Sequence, residues 1–285
     1  MLLPEKSFIF VLSIKTGIMG RVIKLILYYI AYQLAFQGVF ACGLVLLTHI
    51  DFYHIGASPY FTPGIIACQA LATIAVGIHL MLGGYVLKEK KNFSLCSLNK
   101  MVVAALFIIS MGCWTNYLNE LLNLPNNLEE AFDAMLNSPL GIFSIVILAP
   151  IVEELLFRGA IQGHLMKIWK NPKWAILASS VIFGLVHGNP VQIPFAIVTG
   201  LALGWVYYRT GSLLPGILMH FINNGSSVVL YYLLGKTDTT MCEQLGSGGA
   251  ACLALAGAIV SAICIWYLND KSFKCQGAAY SNTEH

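Results

Sequence analysis

The sequence predicts an all-α fold, a polytopic membrane bundle of about eight transmembrane helices, and two observations carry that prediction. First, 58% of the 285 residues are hydrophobic and only 10% are charged, with a mean hydropathy of +0.75. Soluble domains carry about 25% charged residues. So few charges could not cover a globule in water, and a soluble fold is excluded on that ground. Second, the apolar residues fall in long runs broken by short polar loops, and roughly 20 apolar residues suffice to cross a bilayer core.

Taken in order, the runs cover about residues 23–48, 62–87, 101–118, 139–165, 173–189, 193–208, 213–234 and 248–268. The third, fifth and sixth are short. Ahead of the first lies the apolar stretch Phe8–Ile14, followed by Lys15, Arg21 and Lys24 with no small-x-small cleavage site. Residues 1–22 therefore read as a cytoplasmic, interfacial N-terminal segment rather than a signal peptide. Residues 23–268 form one membrane domain, without heptads or an internal repeat, and 269–285 a polar cytoplasmic tail. The connection "NELLNLPNNLEEAFDAMLNSP" has a helical apolar rhythm at Leu121, Leu122, Leu128, Phe132 and Met135, which predicts a short surface helix.

Loop charge sets the orientation. Lys6, Lys15, Arg21 and Lys24 precede the first run, Lys88, Lys90, Lys91 and Lys100 follow the second, and Lys167, Lys170 and Lys173 follow the fourth. Arg209 follows the sixth, and Lys271 and Lys274 the eighth, while the alternate loops hold Asp51, then Glu120, Glu129, Glu130 and Asp133, then Lys236 with Asp238 and Glu243. The positive-inside rule then puts both termini in the cytoplasm. These loops account for the net charge of +3, so no nucleic acid or acidic partner is expected. The eight cysteines include no C-x-x-C pair and lie mostly in apolar runs, as small hydrophobes do. A disulfide framework or zinc cage is not expected; Cys242 and Cys252, flanking an outer loop, could pair.

Polar residues inside the runs carry the chemistry. An ionisable side chain at membrane depth costs about 2.5–3.5 kcal/mol even on the lenient scales, and such residues mark functional sites by default. "IVEELLFRGA", residues 151–160, holds three. Glu154 and Arg158 are four apart in the favourable order and share a helix face. Glu153 points about 100° away with no sequence-local cation, which leaves it free as a proton acceptor. A purely structural ion cluster that locks helices together fits the same stretch. "VIFGLVHGNP" ends an apolar run with His187, and "LLPGILMHFINNGSS" places His220 and Asn224 on one face, with Asn223 beside them. Glu153, His187 and His220 could activate water, or hold a divalent metal as a His₂Glu zinc set, while Asn224 suits an oxyanion.

These residues carry a resemblance. "EELLFR" at 153–158, "FGLVH" at 183–187 and "HFINN" at 220–224 resemble the E-E-x-x-x-R, F-x-x-x-H and H-x-x-x-N motifs of the CAAX protease and bacteriocin-processing (CPBP, or Abi) family, over about residues 139–234. The resemblance implies an eight-helix intramembrane endopeptidase related to type II CAAX prenyl proteases. It implies that Glu153 and His187 activate water, that His220 and Asn224 stabilise the oxyanion, and that Glu154, Arg158 and Phe183 support them. No cofactor is expected on that reading; zinc held by Glu153, His187 and His220 is the alternative, since the family was long labelled metalloproteases. H-E-x-x-H is absent from the chain. The expected partners are membrane lipid and a membrane-embedded or lipid-modified, CAAX-like peptide, and the expected location is the bacterial cytoplasmic (inner) membrane. A non-catalytic bacteriocin-immunity or membrane binding protein on the same fold is the main competing reading. A proton-coupled transporter fits less well, because transporters commonly show repeats and paired broken helices.

Overall fold

The computed structural model describes residues 5–86, 90–234 and 240–270, with backbone alone for 5–18 and 90–91. Its elements are α1 (Glu5–Thr48), α2 (Phe61–Leu82), α3 (Leu98–Leu122), α4 (Glu129–Leu136), α5 (Pro139–Trp169), α6 (Pro172–Leu185), α7 (Ile193–Thr210), α8 (Leu214–Leu233) and α9 (Met241–Leu268). No strand occurs among the described residues, and the fold is the expected polytopic helical bundle. α4 is the surface helix anticipated from its rhythm; it keeps Phe132 and Met135, while Leu121 and Leu122 end α3. α1 runs without a break from Glu5, through the residues read as a separate interfacial segment. Most of the expected tail, residues 271–285, lies outside the described residues, as do Lys88, Lys236 and Asp238.

By length and composition, five helices can cross a membrane: Met19–Thr48 of α1, then α2, α3, α5 and α9. The remaining expected spans fall on α6, α7 and α8. α6 is apolar but only 14 residues long, and α8 is interrupted by His220, Asn223, Asn224, Ser226 and Ser227. The helices that fall short of the simple membrane pattern are those that contribute to the polar centre described below.

Packing follows the sequence. α3 and α9 meet through small residues: Ser110 Oγ and Ser261 Oγ lie 2.9 Å apart, and Trp114 Nε1 donates to Ser261 at 3.3 Å. A Cβ at Gly257 would come within 2.6 Å of the Ser110 carbonyl oxygen, so only glycine permits this approach. The start of α9 is held by a Thr240–Glu243 capping box and by Glu120, whose carboxylate accepts from the Met241 and Cys242 amides. One apolar core gathers Leu25, Leu80, Leu156, Phe157 and Phe183; a second gathers Phe107, Ile108, Leu203, Met219 and Leu268. Outward faces stay apolar, as with Leu34, Leu46 and Leu47 on α1 and Leu255, Ile263 and Trp266 on α9. Apolar exposure on that scale belongs in lipid.

Cys242 and Cys252 are free thiols and do not pair. Two expectations are corrected. Cys96, read as a packed thiol, is disulfide-bonded. Lys100, counted among loop charges, is instead buried in the first turn of α3, 3.5 Å from Asp270 and over the Tyr267 ring.

Candidate active site

α5 begins cleanly: Ser138 caps it by accepting from the Gly141 amide, and Pro139 fills the first helical position. The helix then widens twice to i→i+5 π winding, at Ser144–Leu148 and Glu154–Gln162. Such π segments concentrate at functional sites. In the second, Glu154, Arg158 and Gln162, four apart, are essentially inaccessible at 0%, 1% and 0%.

Each member of this buried stripe has a partner. Arg158 Nη1 stands 3.2 Å from Glu154 Oε1, an ion pair whose angle falls short of a hydrogen bond. Arg158 Nη2 donates to the Gly200 carbonyl at 3.3 Å, and the guanidinium lies 4.5 Å over the Phe183 ring. Gln162 Nε2 donates to the Gly204 carbonyl at 2.8 Å. Gly200 and Gly204 make a G-x-x-x-G on α7, and a Cβ at 204 would come within 2.7 Å of Gln162 Oε1. The two glycines thus expose the α7 backbone to the polar face of α5. Gln162 was missed in the sequence reading; its position one step of four beyond Arg158, with the GLALG run at 200–204, is the pattern that would have found it.

His220 on α8 joins the two glutamates. Its Nδ1 lies 3.1 Å from Glu154 Oε1, and its Nε2 lies 3.7 Å from Glu153 Oε2. A carboxylate accepts only, so Nδ1 carries a proton. Glu153 is the more open of the pair, its side chain 15% exposed against 0% for Glu154. Tyr29 on α1, which no motif pointed to, lies close enough to Glu153 for their charges to interact.

His187 stands just past the end of α6, where Gly188 turns the chain with φ 64°. Its Nδ1 lies 2.8 Å from the Phe183 carbonyl. Since the carbonyl can only accept, the neutral ring presents Nε2 as an acceptor. Among the described residues His187 makes no hydrogen bond or ion pair with Glu153 or His220. The two histidines instead share Phe183, with ring centroids 4.9 and 5.7 Å from it. Asn224, one turn beyond His220, donates to the Ile145 carbonyl at 2.9 Å, in the first π segment, and accepts from Asn223 at 3.1 Å. Asn189, also absent from the sequence reading, is fully buried, donates to Asn126 and accepts from the Asn127 amide, tying the loop after α3 to the His187 turn.

The structure therefore gathers Glu153, Glu154, Arg158 and His220 directly, with Phe183 as the common wall, and sets His187 and Asn224 at its margins. No three His, Cys, Asp or Glu side chains among the described residues converge in a group able to hold a metal ion. Glu153, His187 and His220 thus do not fit a zinc set as they stand, and no step below runs through a metal.

Comparison with known proteins places this centre. Residues 135–226 match the family model described as type II CAAX prenyl endopeptidase Rce1-like. The membrane-embedded CAAX protease MroQ of Staphylococcus aureus (strain USA300) is 32% identical over 111 residues, 37% of this chain and 45% of MroQ. The putative membrane peptidase YdiL of Bacillus subtilis (strain 168) is 33% identical over 104 residues, 36% of this chain and 42% of YdiL. The chain thus spans less than half the length of the curated relatives it matches. No solved structure matches it. With its membrane-length helices, this is an integral membrane protein, and the stretch that carries Glu153, Glu154, Arg158, His187, His220 and Asn224 is the one similar to the Rce1-like type II CAAX prenyl endopeptidases.

Proposed function

We propose that this protein is an intramembrane endopeptidase that hydrolyses a peptide bond in a membrane-embedded or lipid-modified, CAAX-like substrate. The observation that carries the proposal is that His220 lies between Glu154 and Glu153, while the Phe183 carbonyl leaves His187 with a proton-accepting Nε2. The proposed reaction takes His220 with a proton on Nε2 as well. One ring suits the attacking water and the other suits the oxyanion.

In the proposed reaction, water held by Glu153 and His187 attacks the scissile carbonyl carbon as Glu153 takes its proton. The tetrahedral oxyanion is held by His220 Nε2–H and by the second N–H of Asn224, whose first is bound to Ile145. Collapse breaks the C–N bond, and the proton on Glu153 passes to the leaving amine. Glu154, Arg158 and Gln162 do no chemistry; they hold His220 and the α5–α7 contact in place. The curated relatives are named as a CAAX protease and a putative membrane peptidase, which supports the same reaction class. The charge pattern supports cytoplasmic termini, and the relatives' sources support a bacterial cytoplasmic membrane.

The test is cleavage of a lipidated CAAX peptide and a membrane-peptide library by purified protein in detergent. Glu153→Gln should lower the rate by about 10²–10⁴-fold with the melting temperature unchanged, and a strong chelator should leave the wild type active. Full activity in folded Glu153→Gln would overturn the assignment. Chelator loss restored by zinc would make Glu153, His187 and His220 metal ligands. An inactive wild type on every substrate would favour the immunity reading.

A further inference from the structure

A polar cavity of about 110 Å³ opens beside the C-terminal half of α5, from Gly159 to Lys167. Arg21 of α1, Tyr85 and Asn92 of the α2–α3 connection, His164 and Lys167 of α5 and Tyr207 of α7 line it. His164 and Lys167 lie 11 and 14 residues beyond Glu153, roughly 15–20 Å along a helix axis. None of Glu153, Glu154, His187, His220 and Asn224 lines the cavity, and nothing in the proposed reaction uses it.

Among the described residues its lining is one-sided in charge: no Asp or Glu contributes to it, and neither Arg21 nor Lys167 makes an ion pair. The Arg21 guanidinium is engaged on one side only: Nη2 donates to the Tyr85 carbonyl at a long 3.4 Å, and the group lies 5.2 Å over the Tyr85 ring. Its Nε is buried with no acceptor. A buried N–H left unmatched costs about 1–3 kcal/mol, more for a charged group, so the geometry leaves a donor waiting for an anion. A guanidinium beside an ammonium matches phosphate, which accepts from both at once.

The surroundings specify which phosphate. Beside the cavity the rings of Tyr85, His79 and Tyr28 follow one another at 5.8 and 4.8 Å, with Lys24 5.3 Å over Tyr28. The cavity is bordered by the start of the membrane-crossing part of α1, Met19–Thr48, and by the C-terminal end of α5. Both lie beside the basic loops that the charge pattern puts in the cytoplasm. Basic pockets between membrane helices at that surface are suited to anionic headgroups. We propose that Arg21, Lys167 and His164 form a phosphate site that takes the headgroup phosphate of an anionic phospholipid.

The test uses the full chain purified in a zwitterionic detergent, with phosphatidylglycerol, phosphatidylcholine or inorganic phosphate added, and reads the thermal unfolding midpoint. Phosphatidylglycerol should raise the wild-type midpoint by several degrees and phosphatidylcholine should not. The rise should vanish in the Arg21→Gln, Lys167→Gln double variant and persist in Arg21→Lys. If inorganic phosphate gives the same saturable rise with the same dependence on Arg21 and Lys167, the phosphate site stands and a free anion fills it. A rise of equal size with phosphatidylcholine, or one that survives the double variant, overturns the proposal. Should the double variant not fold, Lys167→Gln alone, at an exposed position, is read by native mass spectrometry. It should retain one anionic lipid fewer than wild type, and unchanged retention overturns the proposal.

Discussion

The α3–α9 pair and the α5–α7–α8 centre solve the same packing problem by opposite means. α3 and α9 bring small residues together, and two serine hydroxyls satisfy one another at 2.9 Å. Charges enter only at the ends of that pair, where Lys100 meets Asp270 and Glu120 caps the start of α9, and each helix could be read from hydropathy alone. At the centre, α5 carries two carboxylates and a guanidinium into the bundle, and α7 and α8 are shaped around them with Gly200, Gly204 and His220. The lesson is that polar depth needs partners from several helices at once. Losing one partner at the centre strands a charge, whereas losing one serine of the Ser110–Ser261 pair strands at most a hydroxyl.

The contrast can be broken by mutation. Arg158→Met should have the largest effect: it leaves Glu154 buried beside His220 without its cation, at a cost of about 3–5 kcal/mol. Thermal unfolding in detergent should show a large fall in midpoint; a stable Arg158→Met would mean that the pair does not hold the fold. Gly204→Ala comes next. Its Cβ would meet Gln162 Oε1 at 2.7 Å, and overpacking of this kind costs about 1–3 kcal/mol. The same unfolding assay, with cleavage measured in parallel, should show both stability and rate reduced, because α7 is pushed off the stripe that holds His220's partner. The smallest effect belongs to Ser110→Ala. Ser261 keeps Trp114 as a donor, and intramembrane hydrogen bonds average about 0.6 kcal/mol. A loss at Ser110 as large as that at Arg158 would erase the distinction between the two regions.

Much of the centre was legible in the sequence because its chemistry is rare at membrane depth. Three short motifs placed Glu153, Glu154, Arg158, His187, His220 and Asn224 in runs where each charge is costly, and the four-residue spacing already paired Glu154 with Arg158. What the sequence could not supply was register between helices. Nothing in "LLPGILMHFINNGSS" states that His220 faces both glutamates, or that His187 turns its Nδ1 to Phe183 instead of meeting Glu153 directly. Tyr29 and Asn189 escaped for the same reason, since their partners are distant in the chain. Gln162 escaped because a lone glutamine is unremarkable until the glycines it faces are known. The count of spans was legible for the long helices and blurred at α6 to α8, where length or polarity departs from the membrane average.

The wide winding of α5 has a consequence for how this chain can change. A π segment holds one residue more than the α-helical turn it replaces. Deleting a single residue between Glu154 and Gln162 would let that stretch relax to ordinary α winding, and the helix on either side would keep its facing. The same deletion in an α-wound part of α5 would swing everything beyond the cut by about 100°. The wide turns are therefore the places where α5 can lose a residue and still keep Glu153 and its far end on their present sides.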